Sequence, residues 1–262
     1  MTDGSNNLQV RNLSLAFAGL KALNDVSFSV SAGAIFGLIG PNGAGKTTLL
    51  NCLTRIYTPN SGSLKFGERE LLTSPLHDIS TLGIARTFQN LELFGAETAL
   101  DNVLIGALSQ TRIPAIPDML GLPSARRALR AASERARAAL DRLGIADAAS
   151  RQVATLAYGV QKRVELARAL VTEPRLLLLD EPAAGLNADE THALAEVLRD
   201  LQRTNNITII LVEHDMSLVM GICDELVVLD HGEVIAQGAP SVIRQNQKVI
   251  MAYLGEEGDD AA

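Results

Sequence analysis

Residues 40–47 read Gly40-Pro41-Asn42-Gly43-Ala44-Gly45-Lys46-Thr47, which matches the pattern G-x-x-x-x-G-K-[ST] at every fixed position. The apolar run at 34–39 precedes this stretch and has the length of a buried strand, and residues 46–56 follow it with apolar side chains at helical spacing. A glycine-rich loop between a strand and a helix offers backbone N–H groups and the positive end of the helix dipole to a phosphate. The stretch therefore predicts a phosphate-binding loop.

The residue types within this loop predict separate roles. Side chains at Gly43 and Gly45 would block the approach of phosphates, Lys46 can reach the β- and γ-phosphates, and the Thr47 hydroxyl can bind Mg²⁺. Together these roles predict ATP and Mg²⁺ as the bound species. The residues expected to contact ATP here are Gly40, Asn42, Gly43, Ala44, Gly45, Lys46, Thr47 and Thr48.

A second motif consists of the apolar run Leu176–Leu179 followed by Asp180 and Glu181. A buried strand of this kind would deliver Asp180 to a metal site, where its carboxylate binds Mg²⁺ directly or through water. Glu181 would lie where the strand ends, and it could accept a proton from an attacking water or orient that water. The motif predicts the metal ligand and the catalytic carboxylate.

Elsewhere the chain alternates between strand and helix patterns. Two segments with alternating apolar residues, 8–17 and 22–30, predict antiparallel strands. Later apolar runs and helical periodicities alternate, which predicts a largely parallel sheet covered on both faces. The predicted strands are 34–39, 84–88, 176–179, 207–212, 226–229 and 234–237, and the predicted helices are 46–56, 161–171, 188–203 and 216–222.

The segment from residue 91 to residue 155 is Ala-rich and helical in pattern, with an interruption at Ile113–Pro117. It has no place in the predicted sheet, so we expect a helical subdomain at 91–155 beside a core formed by residues 1–90 and 156–262. One helix of this segment carries arginines opposite small and apolar residues. A solvated face is the favoured interpretation, and contact with lipid headgroups or a membrane partner is the alternative. The arginines are 126, 127, 130, 135 and 137, and the opposite face holds Leu129, Ala132, Ala136, Leu140 and Leu143.

The composition excludes several classes of protein. The 262 residues are 47% hydrophobic and 20% charged, which is typical of a globular chain and not of a disordered one. A net charge of −7 argues against nucleic acid as a partner. Cys52 and Cys223 have no metal-ligand spacing and are expected to be reduced core thiols. No apolar run approaches the roughly 18 residues of a membrane-spanning helix, and the polar start predicts no leader segment.

Several short motifs resemble those of ATP-binding cassette (ABC) proteins, in the order and spacing of that family. They are the segment 156–163, which is similar to the family's signature sequence, Gln89 after the predicted strand at 84–88, residues 184–187 after Pro182, residues 213–215, and Phe17, which lies 23 residues before Gly40. The resemblance covers nearly the whole chain. It implies an α/β fold: a P-loop (RecA-like) ABC ATPase core with an N-terminal antiparallel β subdomain and an inserted helical subdomain.

The resemblance also implies roles for individual residues. In this family two cassettes pair head to tail, and each ATP lies between the phosphate loop of one cassette and the signature of the other. Carried over to this chain, Phe17 stacks on adenine, His214 contacts the γ-phosphate, and Gln89 links the metal site to the helical lobe and helps to bind the metal. The residues that would face the partner's ATP are Ala157, Tyr158, Gly159 and Val160.

The departures from the common signature point to a subfamily. Ala157 replaces a serine and Tyr158 replaces a glycine, and these changes resemble the larger ATPase subunit of branched-chain amino acid importers; Val160 replaces a glutamine in both patterns. The segments 83–90, 213–216 and 252–255 are also similar to that subunit. This resemblance implies a peripheral subunit on the cytoplasmic face of the inner membrane. The implied partners are a second cassette or a second copy of this chain, two transmembrane permease subunits and, indirectly, an extracytoplasmic solute-binding protein.

Three alternatives stay open at this point. The same machine could carry urea, short amides or another small solute, because the cargo never touches this subunit. A soluble ABC protein of translation or DNA repair is disfavoured, since such chains usually contain two cassettes or coiled-coil or zinc insertions. A nucleotide sensor that does not hydrolyse ATP is disfavoured by Glu181 and His214, which a sensor does not need.

Overall fold

The computed structural model describes residues 6–89, 91–109 and 123–259, with the side chains of 123–125 and 254–259 left out of the description. Its strands form two sheets. An antiparallel sheet has the order β2-β1-β4-β5, and a six-stranded sheet has the order β10-β9-β3-β8-β7-β6. The strands are β1 (Leu8–Phe17), β2 (Leu20–Val30), β3 (Ile35–Ile39), β4 (Ser61–Phe66), β5 (Arg69–Glu70), β6 (Ile84–Arg86), β7 (Leu176–Asp180), β8 (Thr208–Val212), β9 (Glu225–Asp230) and β10 (Glu233–Gly238).

Helices cover the six-stranded sheet and extend to one side of it. The helices within the described residues are α1 (Lys46–Leu53), α2 (Ala99–Ser109), α3 (Pro123–Arg142), α4 (Tyr158–Leu170), α5 (Ala188–Asn205), α6 (Met216–Ile222), α7 (Pro240–Ile243) and α8 (Gln247–Asp259). None of the helices in the described part of the chain is both long enough and apolar enough to cross a bilayer.

The six-stranded sheet is buried on both faces. Along β7, Leu177 and Leu179 join the core formed with the helices, whereas Leu176 and Leu178 join the core shared with α1 and the antiparallel sheet. Residues of β3 and β8 divide between the same two cores in the same alternating way. Since successive side chains of a strand point to opposite faces, continuous apolar runs are required here. This explains why the central strands read as unbroken Ile, Leu and Val.

The strand order determines where the functional loops emerge. Strands β3, β8, β7 and β6 are parallel neighbours, and only the β9–β10 pair of this sheet is antiparallel. Strand β9 is also parallel to β3. The loops that follow the five parallel strands therefore leave the same edge of the sheet, where ligands of open α/β sheets bind. The α/β fold expected from the sequence is confirmed.

The sequence analysis missed β4 and β5. The sequence analysis predicts no strand here, because the first residues of β4 are Ser, Gly and Ser and its apolar alternation is limited to Leu64 and Phe66. At Gly62 the backbone lies so close to β1 that a Cβ atom would be 2.6 Å from the Cα of Leu13. Gly62 thus permits close strand pairing.

Several helix boundaries also differ from the sequence expectations. Helix α1 ends at Leu53, three residues before the expected end, because Arg55 has a left-handed backbone with φ of 62°. Helix α4 begins at Tyr158, three residues before the expected start. In α3 the expected apolar face is buried at Ala132, Ala136, Leu140 and Leu143, but Leu129 is 47% exposed, so its assignment to that face was wrong. The expected interruption at Ile113–Pro117 lies outside the described residues.

Helices α2, α3 and α4 pack against one another as one group. The backbone of α2 approaches α4 so closely at Gly106 that a Cβ atom would be 2.5 Å from the carbonyl oxygen of Arg168. Helix α4 therefore belongs to the same packing unit as the inserted helices. The division of the chain at residues 91 and 156 stays a prediction.

We expect Asp215→Ala to lower the free energy of unfolding at neutral pH by about 1 kcal/mol, the usual effect of losing an N-cap. The Asp215 carboxylate caps α6 by accepting hydrogen bonds from the backbone N–H groups of Ser217 and Leu218. The Ser217 hydroxyl, and then these amides, lower the pKa of Asp215. The stabilisation is therefore present above the unfolded pKa near 3.9 and is lost as pH falls through the lower folded pKa.

Urea unfolding of the variant and the wild type between pH 3 and pH 7 checks this prediction. Asp215→Asn is the matched control, because its side-chain oxygen still accepts the capping hydrogen bonds without carrying charge. A destabilisation of Asp215→Ala that is the same at pH 3 and pH 7 would contradict the proposed role of the ionised cap.

Candidate functional site

A cavity of about 390 Å³ opens at the edge of the sheet where β3, β6, β7 and β8 end. Its wall combines the loop before α1 with residues from the hairpin between β1 and β2 and with single residues that follow β6, β7, β8 and β9. The lining residues are Leu20, Lys21, Ala22, Asn42, Gly43, Ala44, Gly45, Lys46, Thr47, Thr48, Gln89, Glu181, His214 and His231. The cavity thus brings together most of the side chains that the sequence assigned to ATP.

Gly43 and Gly45 of the loop differ in what a side chain at each position would meet. Gly45 has φ of +102°, and a Cβ atom there would lie 2.6 Å from the carbonyl oxygen of Ala22, so packing within the protein requires it. Gly43 has φ of +74°, and a Cβ atom there would meet no protein atom within 4 Å. Because Gly43 lines the cavity, a side chain on it would project into space that the protein itself leaves open. This concave backbone fits the phosphates of a nucleotide.

Lys46 is the first residue of α1 and is buried. Its Nζ donates hydrogen bonds to the carbonyl oxygens of Gly40 and Pro41 at 2.6 and 2.7 Å. These contacts hold the ammonium against the loop, and Lys46 lines the cavity. The positive charge is therefore held at the cavity.

Glu181 lies at the centre of a polar cluster. Its Oε1 lies 2.8 Å from Nε2 of His214, and its Oε2 accepts a hydrogen bond of 3.0 Å from Nε2 of Gln89. Glu181 has a left-handed backbone with φ of +50°, which for a residue with a side chain is strained and is typical of functional positions. The turn directs its carboxylate to the ends of β6 and β8, so the three residues assigned to catalysis meet in one place.

Glu213 fixes the spacing between the Glu181 segment and His214. Its Oε1 accepts a hydrogen bond of 2.6 Å from the backbone N–H of Ala183, and its Oε2 accepts one of 3.1 Å from the N–H of His214. Burial raises the pKa of Glu213, and these amide hydrogen bonds partly oppose that rise. The sequence analysis quoted Glu213 only as part of a motif, and no periodicity could have indicated that it braces two loops.

Asp180 is the last residue of β7, and its role as a metal ligand stays a prediction. It does not line the cavity but is buried beneath it, where its Oδ2 forms an ion pair of 2.8 Å with Nη2 of Arg86. Arg86 also donates a hydrogen bond of 2.6 Å to Oδ1 of Asn51 in α1. The sequence analysis missed Arg86 and Asn51 because a buried ion pair between two strands leaves no local pattern.

Two residues of α4 hold the segment that contains Gln89. Glu165, whose pKa burial raises, accepts a hydrogen bond from the N–H of Phe88 at 3.3 Å. The Nζ of Lys162, which is buried, donates to the carbonyl oxygens of Gln89 and Glu181, both at 3.4 Å. Helix α4 is therefore hydrogen-bonded to the polar cluster around Glu181 in its own chain.

Phe17 lies outside the lining of the cavity. Its ring is 44% exposed and packs edge-on against Tyr57, with 5.1 Å between the ring centroids. The neighbouring hairpin residues Leu20 and Lys21 line the cavity instead. That Phe17 stacks on adenine stays a prediction. The structural feature that agrees with it is the exposed ring of Phe17, packed against Tyr57.

The signature residues stand apart from this cavity. Ala157 is the N-cap of α4, and Tyr158, Gly159 and Val160 form the first turn of that helix. None of these four residues lines the cavity that contains Lys46. Ala157 and Tyr158 are exposed, so this helix end is accessible to another molecule, although its role toward a partner's ATP stays a prediction.

The donor set fits magnesium bound together with a nucleotide. Among the described residues no group of three or more His, Cys, Asp or Glu side chains forms a metal cage. Mg²⁺ usually keeps several waters and takes one or two carboxylates plus substrate phosphates. The Thr47 hydroxyl and the Gln89 amide at the cavity, with the Asp180 carboxylate behind it, offer that kind of incomplete protein shell.

Comparison with protein-family models gives two matches. Residues 23–184 match the model described as ABC transporter, and residues 233–259 match the model described as branched-chain amino acid ATP-binding cassette transporter. The first match covers more than half of the chain. The second covers β10, α7 and α8, which follow the nucleotide-site elements.

Comparison with curated proteins gives relatives over almost the full length. The chain is 46% identical over 249 residues to the high-affinity branched-chain amino acid transport ATP-binding protein LivG of Salmonella typhimurium (strain LT2), covering 95% of this chain and 98% of that protein. It is 43% identical to the corresponding protein BraF of Pseudomonas aeruginosa over the same shares of both chains. Among solved structures, the ADP conformation of MJ1267, an ATP-binding cassette of an ABC transporter, gives a TM-score of 0.83 at 29% identity, covering 95% of this chain and 99% of that one.

We expect Lys46→Ala to weaken ATP binding by at least tenfold while the chain stays folded, because the substitution removes the cation that the carbonyl oxygens of Gly40 and Pro41 hold at the loop. Equilibrium binding of a fluorescent ATP analogue, with circular dichroism as the check on folding, measures the effect. Lys65→Ala is the control, since it removes an exposed lysine of β4 and lowers the net charge equally. Wild-type affinity in folded Lys46→Ala would show that phosphates bind elsewhere.

Proposed function

The chain belongs to the ABC transporter family, and from this we propose that it is the ATP-hydrolysing subunit of an importer for branched-chain amino acids. It is an ABC ATPase, whose reaction converts ATP and water to ADP and phosphate. The observation that carries the proposal is the cluster in which Glu181 contacts both His214 and Gln89 at the mouth of the phosphate loop. The C-terminal match and the full-length relatives support the choice of solute.

The proposed binding step uses the loop and its helix. The backbone of residues 40–45 and the Lys46 ammonium would bind the β- and γ-phosphates, and Thr48 would add a hydroxyl. Phe17 would hold the adenine at the entrance. The open Gly43 backbone and the Lys46 ammonium, which the carbonyl oxygens of Gly40 and Pro41 hold at the loop, support this arrangement.

The proposed chemical step uses the cluster around Glu181. Its carboxylate would orient the attacking water and accept a proton from it, while His214 would contact the γ-phosphate. Gln89 would report the state of the site to the helical group, because its backbone carbonyl is bonded to Lys162 of α4. Bound Mg²⁺ would supply the neutralisation of phosphate charge that these residues cannot provide alone.

The proposed assembly places the signature of a second cassette over this cavity. The signature residues Ala157, Tyr158, Gly159 and Val160 of this chain would in turn face the ATP of the partner. The exposure of Ala157 and Tyr158, and the absence of all four residues from the lining of the chain's own cavity, support that arrangement. The partner would be a second ATPase subunit or another copy of this chain, and both would dock on two permease subunits.

Since ATP is the substrate, the subunit would act on the cytoplasmic face of the inner membrane, with a solute-binding protein on the opposite side.

We expect Glu181→Gln to lower the ATP hydrolysis rate by about 10²- to 10⁴-fold, the usual contribution of a general base, and to leave ATP binding intact. The amide keeps the shape of the side chain but cannot accept a proton from water. Phosphate release under single-turnover conditions measures the chemical step, and equilibrium binding measures the affinity.

Glu173→Gln is the matched control, because Glu173 is an exposed glutamate with nearly the same left-handed backbone, φ 52° against 50°. It should hydrolyse ATP at the wild-type rate. Hydrolysis by Glu181→Gln at the wild-type rate would remove Glu181 from the mechanism.

The transport role is tested on the complex that this chain forms. Affinity purification from detergent-solubilised membranes should recover two multi-spanning proteins and a second cassette. The complex in proteoliposomes should import leucine, isoleucine and valine in an ATP-dependent way, and uptake should stop with Glu181→Gln. Recovery of the chain without multi-spanning partners would contradict the importer, and uptake of urea in place of the amino acids would contradict the solute.

A further inference from the structure

A buried ion pair lies directly behind the candidate metal site. Nη2 of Arg86 and Oδ2 of Asp180 are 2.8 Å apart, and their side chains are only 5% and 3% exposed. Charges at this depth are stable only when they are paired and hydrogen-bonded. Asp180 is the carboxylate expected to bind Mg²⁺. Arg86 is its only cationic partner among the described ion pairs, so we expect Arg86 to affect metal binding.

Arg86 is itself held by a second element. Its Nη1 donates a hydrogen bond of 2.6 Å to Oδ1 of Asn51, and its guanidinium carbon lies 5.2 Å from the centroid of the Phe88 ring. Its Nε is buried and makes no hydrogen bond within the described part of the chain. A buried donor without an acceptor is normally costly. The guanidinium keeps its contacts to Asp180 and Asn51 although its Nε is left in that state.

The polar partners of Arg86 are Asp180, Asn51 and Thr54, whose Oγ1 accepts a hydrogen bond of 3.4 Å from Nη1. They belong to β7 and to α1 with its C-cap, two elements that carry expected metal donors. Asn51 lies in α1, the helix that begins with Lys46 and Thr47, and Asp180 is the last residue of β7. Arg86 therefore fixes the carboxylate of β7 relative to the helix that presents the Thr47 hydroxyl. Arg86 does not line the cavity, so any effect on the metal must pass through Asp180.

We propose that Arg86 is a positioning residue that holds the Asp180 carboxylate for the metal ion of the nucleotide, an inference that rests on the proposed ATP site. Arg86 engages Oδ2, so that a metal ion or its water is met by Oδ1. Mg²⁺ demands near-ideal octahedral geometry, and a carboxylate that can rotate satisfies this demand poorly. Groups that orient metal ligands from behind typically change metal affinity by about 10- to 100-fold when they are removed.

The experiment measures the Mg²⁺ enhancement of nucleotide binding, which is the ratio of the ATP dissociation constants in EDTA and in excess Mg²⁺. The full-length chains compared are the wild type, Arg86→Gln, Arg86→Lys and Arg175→Gln. Arg175 is the matched control, because its guanidinium also lies over a phenylalanine ring, at 5.3 Å from the Phe66 centroid, and donates to a backbone carbonyl. It stands immediately before β7, at the end opposite to Asp180.

In Arg86→Gln we expect the Mg²⁺ enhancement to fall by about 10- to 100-fold, while the ATP affinity in EDTA is unchanged. Arg86→Lys should fall between the wild type and Arg86→Gln, because an ammonium keeps the charge but cannot fork to both Asp180 and Asn51. Arg175→Gln should keep the wild-type enhancement. A merely structural role would weaken binding equally with and without Mg²⁺.

An Arg86→Gln chain that folds and keeps the wild-type Mg²⁺ enhancement overturns the proposal, and so does an equal loss of affinity in both conditions. If circular dichroism shows that Arg86→Gln does not fold, Arg86→Lys decides: a selective loss in Mg²⁺ supports the proposal, and an unchanged enhancement overturns it. Failure of the wild type to bind ATP, or to bind it better with Mg²⁺, would instead refute the nucleotide site itself.

Discussion

The parallel register of β3, β8 and β7 places three chain segments at one level of the sheet. Val212 of β8 is paired with Leu38 on one side and with Asp180 on the other. The residues that come next are therefore neighbours: the phosphate loop after β3, Glu213 and His214 after β8, and Glu181 after β7. A shift of one residue in either pairing would turn every side chain of that strand to the other face and bury its polar end. Because burying an unpaired polar group is costly, such a shift is disfavoured, and the geometry of the site depends on the register of these strands.

This constraint carries an electrostatic consequence. Bringing strand ends together also brings Asp180 and Glu213 into surroundings where each carboxylate is almost fully buried. The chain compensates each group differently. Asp180 is paired with Arg86, whereas Glu213 accepts amide hydrogen bonds from the segment after Glu181 and from His214. Each of these contacts connects two of the chain segments that meet at the site. The contacts that satisfy the buried carboxylates therefore also set the distances between those segments.

The sequence was informative wherever a function or an element depends on neighbouring residues. The phosphate loop needs Gly43, Gly45 and Lys46 in one turn, and α6 begins with the cap Asp215, so both were predictable from local pattern. The clustering of Glu181 with His214 and Gln89 was predictable only through the family resemblance. Arg86 and Asn51, 35 residues apart, and strand β4, whose glycine allows close pairing with β1, depend on tertiary contacts. No periodicity records such contacts, and this is why the sequence indicated Asp180 but not the residues that hold it.

The position of α4 adds a second level of organisation to the site. Its first turn carries Tyr158, Gly159 and Val160, which do not line the chain's own cavity, yet one turn later Lys162 is bonded to the backbones of Gln89 and Glu181. The buried ammonium of Lys162 would lose these acceptors if either loop moved away from the helix, and an unpaired buried charge is strongly unfavourable. The contacts of Lys162 therefore oppose movement of the loops that carry Gln89 and Glu181, and they also oppose movement of the exposed end of α4. Helix α4 also packs against α2 and α3. Movement of these helices relative to the site would therefore disturb the same contacts.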